Sequence, residues 1–371
     1  GANIAADSLF KGLLQIGNMK ILSRSSFYDS SSPKFKSNLY RLFGKLLAFP
    51  THQNTTYLSF LDKKIINSKV NYDLVHAHWL NNIPLNTIPA SRRLILTAHD
   101  QWFMNNCWSW KPEDLNSPTK SLENLTSRFI NKLSHVKIPL DFIRDNYPLY
   151  KIITPSNWLK ESFLANSNLH NSEVEVVSNI IDTKIFNIQN NLVNQNNKSK
   201  LFTIVASSGY WQEWRKGKDI LLKLFKRLIY YYNGQIFFNI IGNIDLDPEI
   251  KRYSCCYGNV NDKSKIAYIL SDSDCMVLPS RVENLNQTIC ESLLCGTPIV
   301  AFDVGGNREI INDEIYGYCV EYPQIEALID AINEIKSNDN FQKRKKRASL
   351  ASIKFSNKEI IQRHIDIYSS N

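Results

Sequence analysis

Apolar residues in this chain collect into short runs bounded by Gly, Pro or Asp, and between those runs they recur every three or four positions. Buried strands alternating with amphipathic helices produce that pattern, which predicts an α/β fold with parallel sheets. The clearest unit lies between Asp274 and Glu309. There the apolar run 275–278 stops at Pro279 and Ser280, a polar elbow follows, 288–294 reads as a helix closed by Gly296, and a second run at 298–302 breaks at Gly305 and Gly306. This is a βαβ crossover with a glycine loop beyond it, and ligands in such sheets sit beyond the strand C-termini. Further strands are predicted at 73–78, 94–98, 151–154, 174–177, 201–206 and 236–241, with short ones at 19–22 and 257–260. Helices are predicted at 157–165 (with Ser156 as N-cap), 219–228 and 263–270, and a closing one at 354–368 with Ile361, Ile365 and Tyr368 on one side. The preceding FQKRKKRASL, with five Lys or Arg in its first seven residues, reads as a solvated helix.

At its start the chain reads GANIAADSLFKGLLQIGN, with Ile4, Ala5, Leu9, Leu13 and Ile16 on one helical face. Residues 35–49 place Phe35, Leu39, Leu42, Phe43, Leu46 and Leu47 on a stripe, with Lys34, Lys36, Arg41 and Lys45 off it. Such a helix either buries its apolar face in the protein or lies on an anionic bilayer. A length of 371 residues suffices for two domains. The net charge of +9 is uneven: 21 Lys and Arg face 14 Asp and Glu up to residue 185, and 23 face 21 beyond it. A phosphate-bearing partner follows from that bias; no nucleic-acid-binding signature is present, and nucleic acid is not expected. Seven cysteines show no CxxC pair and no metal-like spacing with histidine, which reads as reduced thiols of a cytoplasmic protein. No apolar run approaches a membrane span, and the first segment lacks a secretory pattern. Asparagine triplets at 54, 124 and 286 match the glycosylation acceptor pattern and carry little weight in such a chain.

Two acids give the central unit chemical content. Glu283 in the elbow and Glu291 in the helix bracket a helix N-terminus, whose free amides and partial positive charge suit a phosphate. One carboxylate then serves the sugar and the other the ribose of a nucleotide sugar, with the diphosphate on the amides of Leu285, Asn286, Gln287 and Thr288 behind Asn284; otherwise both acids are ordinary solvated residues. Arg215 and Lys216 precede the 219–228 helix, where two cations either clamp a diphosphate leaving group or decorate the surface. His99 and Asp100 follow a strand, with His76 and His78 as weaker candidates. The aromatic and amide-rich stretch from Trp102 to Trp110 suits stacking on sugar rings or packing on its own domain. Two DxD triplets, at 245–247 and 272–274, are rejected as metal sites because one lies in a loop beside Pro248 and the other leads into a core strand.

The segment ENLNQTICESLLCGTPIVAFDVGGNREII (283–311) resembles the donor site of family 4 retaining glycosyltransferases of GT-B fold, most closely those of bacterial exopolysaccharide and lipopolysaccharide (colanic-acid-type) synthesis. TAHDQW (97–102), PSNWLK (155–160), SNIIDTKIF (178–186) and WRKGKDILL (214–222) agree with it in order. The resemblance implies two Rossmann-like domains with parallel sheets facing across a cleft: 1–183 with the terminal helix 356–371 on the acceptor side, and 184–355 binding the donor. It implies a metal-independent, retaining hexosyltransferase with no cofactor beyond its nucleotide diphosphate sugar co-substrate. The acceptor would be a glycan or lipid-linked glycan, and the site cytoplasmic, at most peripheral on an anionic inner membrane face. Glu283 and His99 become candidate catalytic residues at the donor sugar; Arg215 and Lys216 face the diphosphate, Glu291 the ribose, and Asp100 and Trp102 line the acceptor side. Gly1 would be the last glycine of a turn that the family places after a first strand, so the chain is expected to be truncated and to lack that strand. Departures from the family pattern are Ile180 where a glycine follows Asn179, Tyr210 where an arginine is common, and Cys107 as the single cysteine in its loop. The alternatives are a catalytically inactive nucleotide-sugar or glycan-binding protein, or an epimerase or phosphorylase of the same fold.

Overall fold

The computed structural model describes residues 6, 8–13, 72–78, 91–99, 139–166, 169–188 and 201–370. Expectations for Gly1, the 19–22 strand, the 35–49 helix, Asp100, Trp102 and the loop after it lie outside these residues. The chain groups into two compact units. One contains Leu159–Val177 and most of what precedes Ser156; the other contains Ser156–Trp158 and Ser178–Ser369.

The first unit is built on a parallel four-stranded sheet, β1 (Tyr72–His78), β2 (Ser91–Thr97), β3 (Tyr150–Thr154) and β4 (Val174–Val176), in sequence order. Its middle strands carry Leu94, Ile95, Leu96, Ile152 and Ile153, all buried, as the apolar runs predict. Helix α1 (Pro139–Asn146) precedes β3 and helix α2 (Asn157–Asn166) follows it. Residues 8–13 are helical, with Leu9 and Leu13 buried as their spacing requires.

In the second unit the sheet has six parallel strands: β5 (Phe202–Ser207), β6 (Ile236–Ile241), β7 (Ser254–Gly258), β8 (Cys275–Leu278), β9 (Ile299–Phe302) and β10 (Gly317–Val320). Their order is β10-β9-β8-β5-β6-β7. Successive strand residues point to opposite faces, so Ile204, Val277 and Phe302 join one apolar cluster while Val205, Met276 and Ala301 join another. Helices α3 (Lys218–Tyr231) and α8 (Ile325–Asn338) cover the first face. Helices α5 (Lys263–Asp272), α6 (Gln287–Leu294) and α9 (Phe341–Lys354) cover the second. The short helices α4 (Pro248–Arg252) and α7 (Asn307–Ile310) and the closing helix α10 (Asn357–Ser369) complete the unit.

Three expectations change here. The strand placed at 257–260 lies at Ser254–Gly258 instead. It forms the sheet edge and is only partly buried, so no continuous apolar run marks it. The closing helix begins at Asn357, because the chain leaves the helical conformation after Lys354. Helix α9 is not a solvated helix: Arg344 and Arg347 are 5% and 2% exposed. Each buried guanidinium donates to two carbonyls, Arg344 to Ser271 and Ser273 (2.6 and 2.8 Å) and Arg347 to Gly296 (2.6 Å) and Ile315. Arg347 also pairs with Asp339 at 2.6 Å. Among the described residues no helix is long and apolar enough to cross a membrane.

Candidate functional site

Strand order reverses between β5 and β8, which are hydrogen-bonded neighbours although two strands separate them in sequence. Loops leaving two such strands diverge to opposite sides and open a crevice at their C-terminal ends. The loop after β5 begins at Ser208 and closes in a 3-10 turn, Trp214–Lys216, before α3. Trp211 fastens its start: the buried indole donates to the Ile241 carbonyl at 3.0 Å. The loop after β8 runs from Pro279 to Asn286, the N-cap of α6.

These loops touch through their backbones. The Arg281 amide donates to the Arg215 carbonyl at 2.8 Å. Gly217 has φ 68°, and a Cβ there would stand 2.0 Å from the Pro279 carbonyl oxygen, so glycine meets both demands. Arg281 adds side-chain links to the Trp214 carbonyl (2.8 Å) and to Asp219 (2.6 Å), with its guanidinium 4.8 Å from the Trp214 ring centroid. Hydrogen bonding from Arg281 holds the Asp219 carboxyl below its ordinary range.

That packing sets Lys216 against Glu283, 67 positions away, with Nζ 2.6 Å from Oε1. Glu283 is 5% exposed. Asn286 Nδ2 donates to the same oxygen at 3.3 Å, while its Oδ1 accepts from the Thr288 amide at 3.0 Å. The Thr288 amide, expected to face a ligand, therefore already has a partner. Arg215 turns to Glu213, Nε to Oε2 at 2.6 Å, and both side chains remain about one-third exposed.

Beyond β9 the glycine loop supports Glu283 from behind. Gly306 donates to the Asn284 carbonyl at 2.8 Å. A Cβ on Gly305, whose φ is 58°, would lie 1.5 Å from the Glu283 carbonyl oxygen. Asn284 Oδ1 accepts from the Ser156 hydroxyl at 2.5 Å, and the Glu309 carboxylate accepts from the amides of Asn157 and Trp158 at 2.8 and 2.6 Å.

Glu291 stands on α6, retaining an accessible edge in a recess that protein encloses on most sides. That burial, partly offset by Lys263, pushes its carboxyl up to about 7. Among the described residues this carboxyl has neither a hydrogen-bond nor an ion-pair partner. In the first unit, His99 lies just past β2, its Nε2 3.3 Å from His78 Nδ1, and His76 Nε2 is 2.8 Å from the Thr97 hydroxyl. Burial lowers His99 to about 4, leaving a neutral imidazole at pH 7.

The second aspartate of each DxD triplet has protein partners. Asp247 caps α4 through the Ile250 amide at 3.0 Å and pairs with Lys226, and Asp274 accepts from the Thr203 amide at 2.8 Å. Among the described residues no group of three His, Cys, Asp or Glu side chains is arranged for a metal. Sequence reasoning missed Arg281 and the side-chain roles of Asn284 and Asn286; the position of Arg281 directly after the Pro279–Ser280 break was the available signal.

Two α/β units with parallel sheets, the second doubly wound about the β5–β8 reversal, define a GT-B fold, and comparison with known proteins agrees. The family model "Glycosyl transferases group 1" matches residues 189–352. A 41.2 kDa uncharacterized protein of the Klebsiella pneumoniae cps region is 25% identical over 158 residues, 42% of this chain and 43% of that one. The Escherichia coli UDP-Gal:alpha-D-GlcNAc-diphosphoundecaprenol alpha-1,3-galactosyltransferase is 29% identical over 100 residues, 27% of this chain and 25% of the enzyme. These matches thus span less than half of either relative. Sucrose-phosphate synthase from Thermosynechococcus elongatus superposes with a TM-score of 0.64 at 16% identity, over 99% of this chain and 92% of that one.

Proposed function

We propose that this chain transfers a sugar from a nucleotide diphosphate sugar to a glycan or lipid-linked glycan in surface polysaccharide synthesis, with retention of configuration and without a metal. One observation carries the reading. Lys216 and Glu283 stand on the two loops that flank the strand-order reversal, and the partnerless Glu291 stands on the helix that follows the second of them. In this arrangement Lys216 and the amides ahead of Thr288 take the diphosphate, with Arg215 at the rim. A cation and oriented amides stabilise the charge that grows on a departing diphosphate. Glu291 accepts from the ribose hydroxyls, and Glu283 contacts the donor sugar. The Klebsiella and E. coli relatives, from a cps region and from lipid-linked glycan synthesis, support the polysaccharide role.

The test is a panel of UDP-, GDP- and ADP-sugars incubated with the parent, Lys216→Ala and Glu283→Gln proteins, following released nucleoside diphosphate and product anomer. Loss of the charge-assisted contact in Lys216→Ala should weaken nucleotide binding on the order of tenfold to a hundredfold. Glu283→Gln should slow transfer without a comparable loss of nucleotide binding. Activity should survive excess chelator. Nucleotide binding without transfer or donor hydrolysis with any sugar would point to the inactive binding protein instead.

A further inference from the structure

Glu283 engages the protein through one oxygen only. Its Oε1 holds both Lys216 and Asn286, whereas Oε2 has no partner among the described residues. Lys216 shares Oε1 with Asn286, the N-cap of α6, and its side chain is 19% exposed against 7% for Glu283. An ammonium with three donors exchanges partners readily, because it is a point charge on a flexible stem. A diphosphate bears more negative charge than a single carboxylate and competes for that ammonium at close range.

We propose that the Lys216–Glu283 pair is a ligand-exchanged clamp. Nucleoside diphosphate draws Lys216 away from Glu283, and the released carboxylate becomes the acceptor for a donor-sugar hydroxyl. This rests on the donor-site reading above and adds a coupling to it: the sugar-reading group is held by Lys216 until the nucleotide arrives. Asn286 keeps the carboxylate in place during the exchange, since its side chain spans Glu283 and the capped Thr288 amide. Lys216 is then held in an ion pair before the donor binds, which disfavours its capture by stray anions.

The consequence runs against simple contact counting. Removing the Glu283 charge should tighten binding of nucleoside diphosphate, because Lys216 no longer leaves an ion pair to reach it. Calorimetric titration of UDP, GDP and ADP into the parent, Glu283→Gln, Lys216→Ala and the double variant reads this directly. Glu283→Gln should bind the preferred nucleotide on the order of threefold to tenfold more tightly than the parent. The gain should vanish in the Lys216→Ala background, which makes the cycle non-additive. Equal or weaker binding by Glu283→Gln would overturn the exchange, as would a gain that persists without Lys216, the result expected of plain charge repulsion. If the parent binds no nucleoside diphosphate, the donor-site reading falls and this proposal with it. Thermal melts of each variant separate folding loss from binding loss, and a folded Lys216→Gln protein replaces Lys216→Ala if the latter is unstable.

Discussion

At the scale of single residues, the site is shaped by what its neighbours forbid. Gly305 is packed so that any Cβ would meet the Glu283 carbonyl oxygen, in a backbone region L side chains avoid. The conformation alone costs about 1–2 kcal/mol for a non-glycine residue. Gly305→Ala should therefore lower stability by at least that much and also displace Glu283, so denaturant unfolding and nucleotide titration should both respond. A change in neither would show that the loop relaxes freely. Glu291 makes a second residue-scale prediction through pH. Its carboxyl titrates at about 7 in the folded chain against an ordinary value of 4.5, so between those limits the folded state binds the extra proton. Stability from this group is then greatest below pH 4.5 and falls as pH rises towards 7. Glu291→Gln removes that loss. The variant's melting temperature should exceed the parent's at pH 7.5 by more than it does at pH 5, and a pH-independent difference would contradict the raised value.

At the scale of elements, α9 shows how far a charge pattern can mislead. Its run of five cations divides by helix position: Lys343, Lys345 and Lys346 are exposed, and Arg344 and Arg347, three residues apart, point inward. Removing one partner of a buried ion pair typically costs about 3–5 kcal/mol, because the other is left uncompensated. Arg347→Ala leaves Asp339 and the Gly296 carbonyl without their guanidinium partner and should fall near that range in chemical denaturation. Lys345→Ala, on the exposed face, should stay within about 0.5 kcal/mol of the parent. The same contrast explains what was legible beforehand. Strands β6 and β8 were located to the residue because strands covered on both faces leave apolar runs, interrupted in β6 only by Asn239, whereas β7, at the sheet edge, left no such trace. Glu283, Glu291 and Lys216 were singled out by their place at strand ends and helix starts. That Lys216 meets Glu283 was not visible, because the sheet order that abuts two loops 67 positions apart is not written in either loop. Arg281 was overlooked for the same reason: its partners, Trp214 and Asp219, lie on the other loop and on the helix that follows it.

At the scale of the whole molecule, charge is the property that no single element explains. Of the net +9, +7 falls before residue 186, in the half that would present the acceptor side. A lipid-linked glycan sits at a membrane surface rich in anionic headgroups, and each basic residue near such a surface contributes about 1 kcal/mol of attraction. The 35–49 stretch combines an apolar stripe with Lys34, Lys36, Arg41 and Lys45, so it is the segment through which this bias would act. Electrostatic attraction of that kind is screened within about 10 Å at 0.1 M salt. The protein should therefore sediment with vesicles containing phosphatidylglycerol at low ionic strength and release as salt rises. Phosphatidylcholine vesicles should retain little of it. Reversing Lys36, Arg41 and Lys45 to Glu should abolish the binding while leaving nucleotide affinity at the Lys216 site unchanged, since the donor loops belong to the other unit. Sedimentation that survives the reversal would assign the 35–49 stripe to the protein's own core and move the membrane contact, if the parent shows one, to another basic surface.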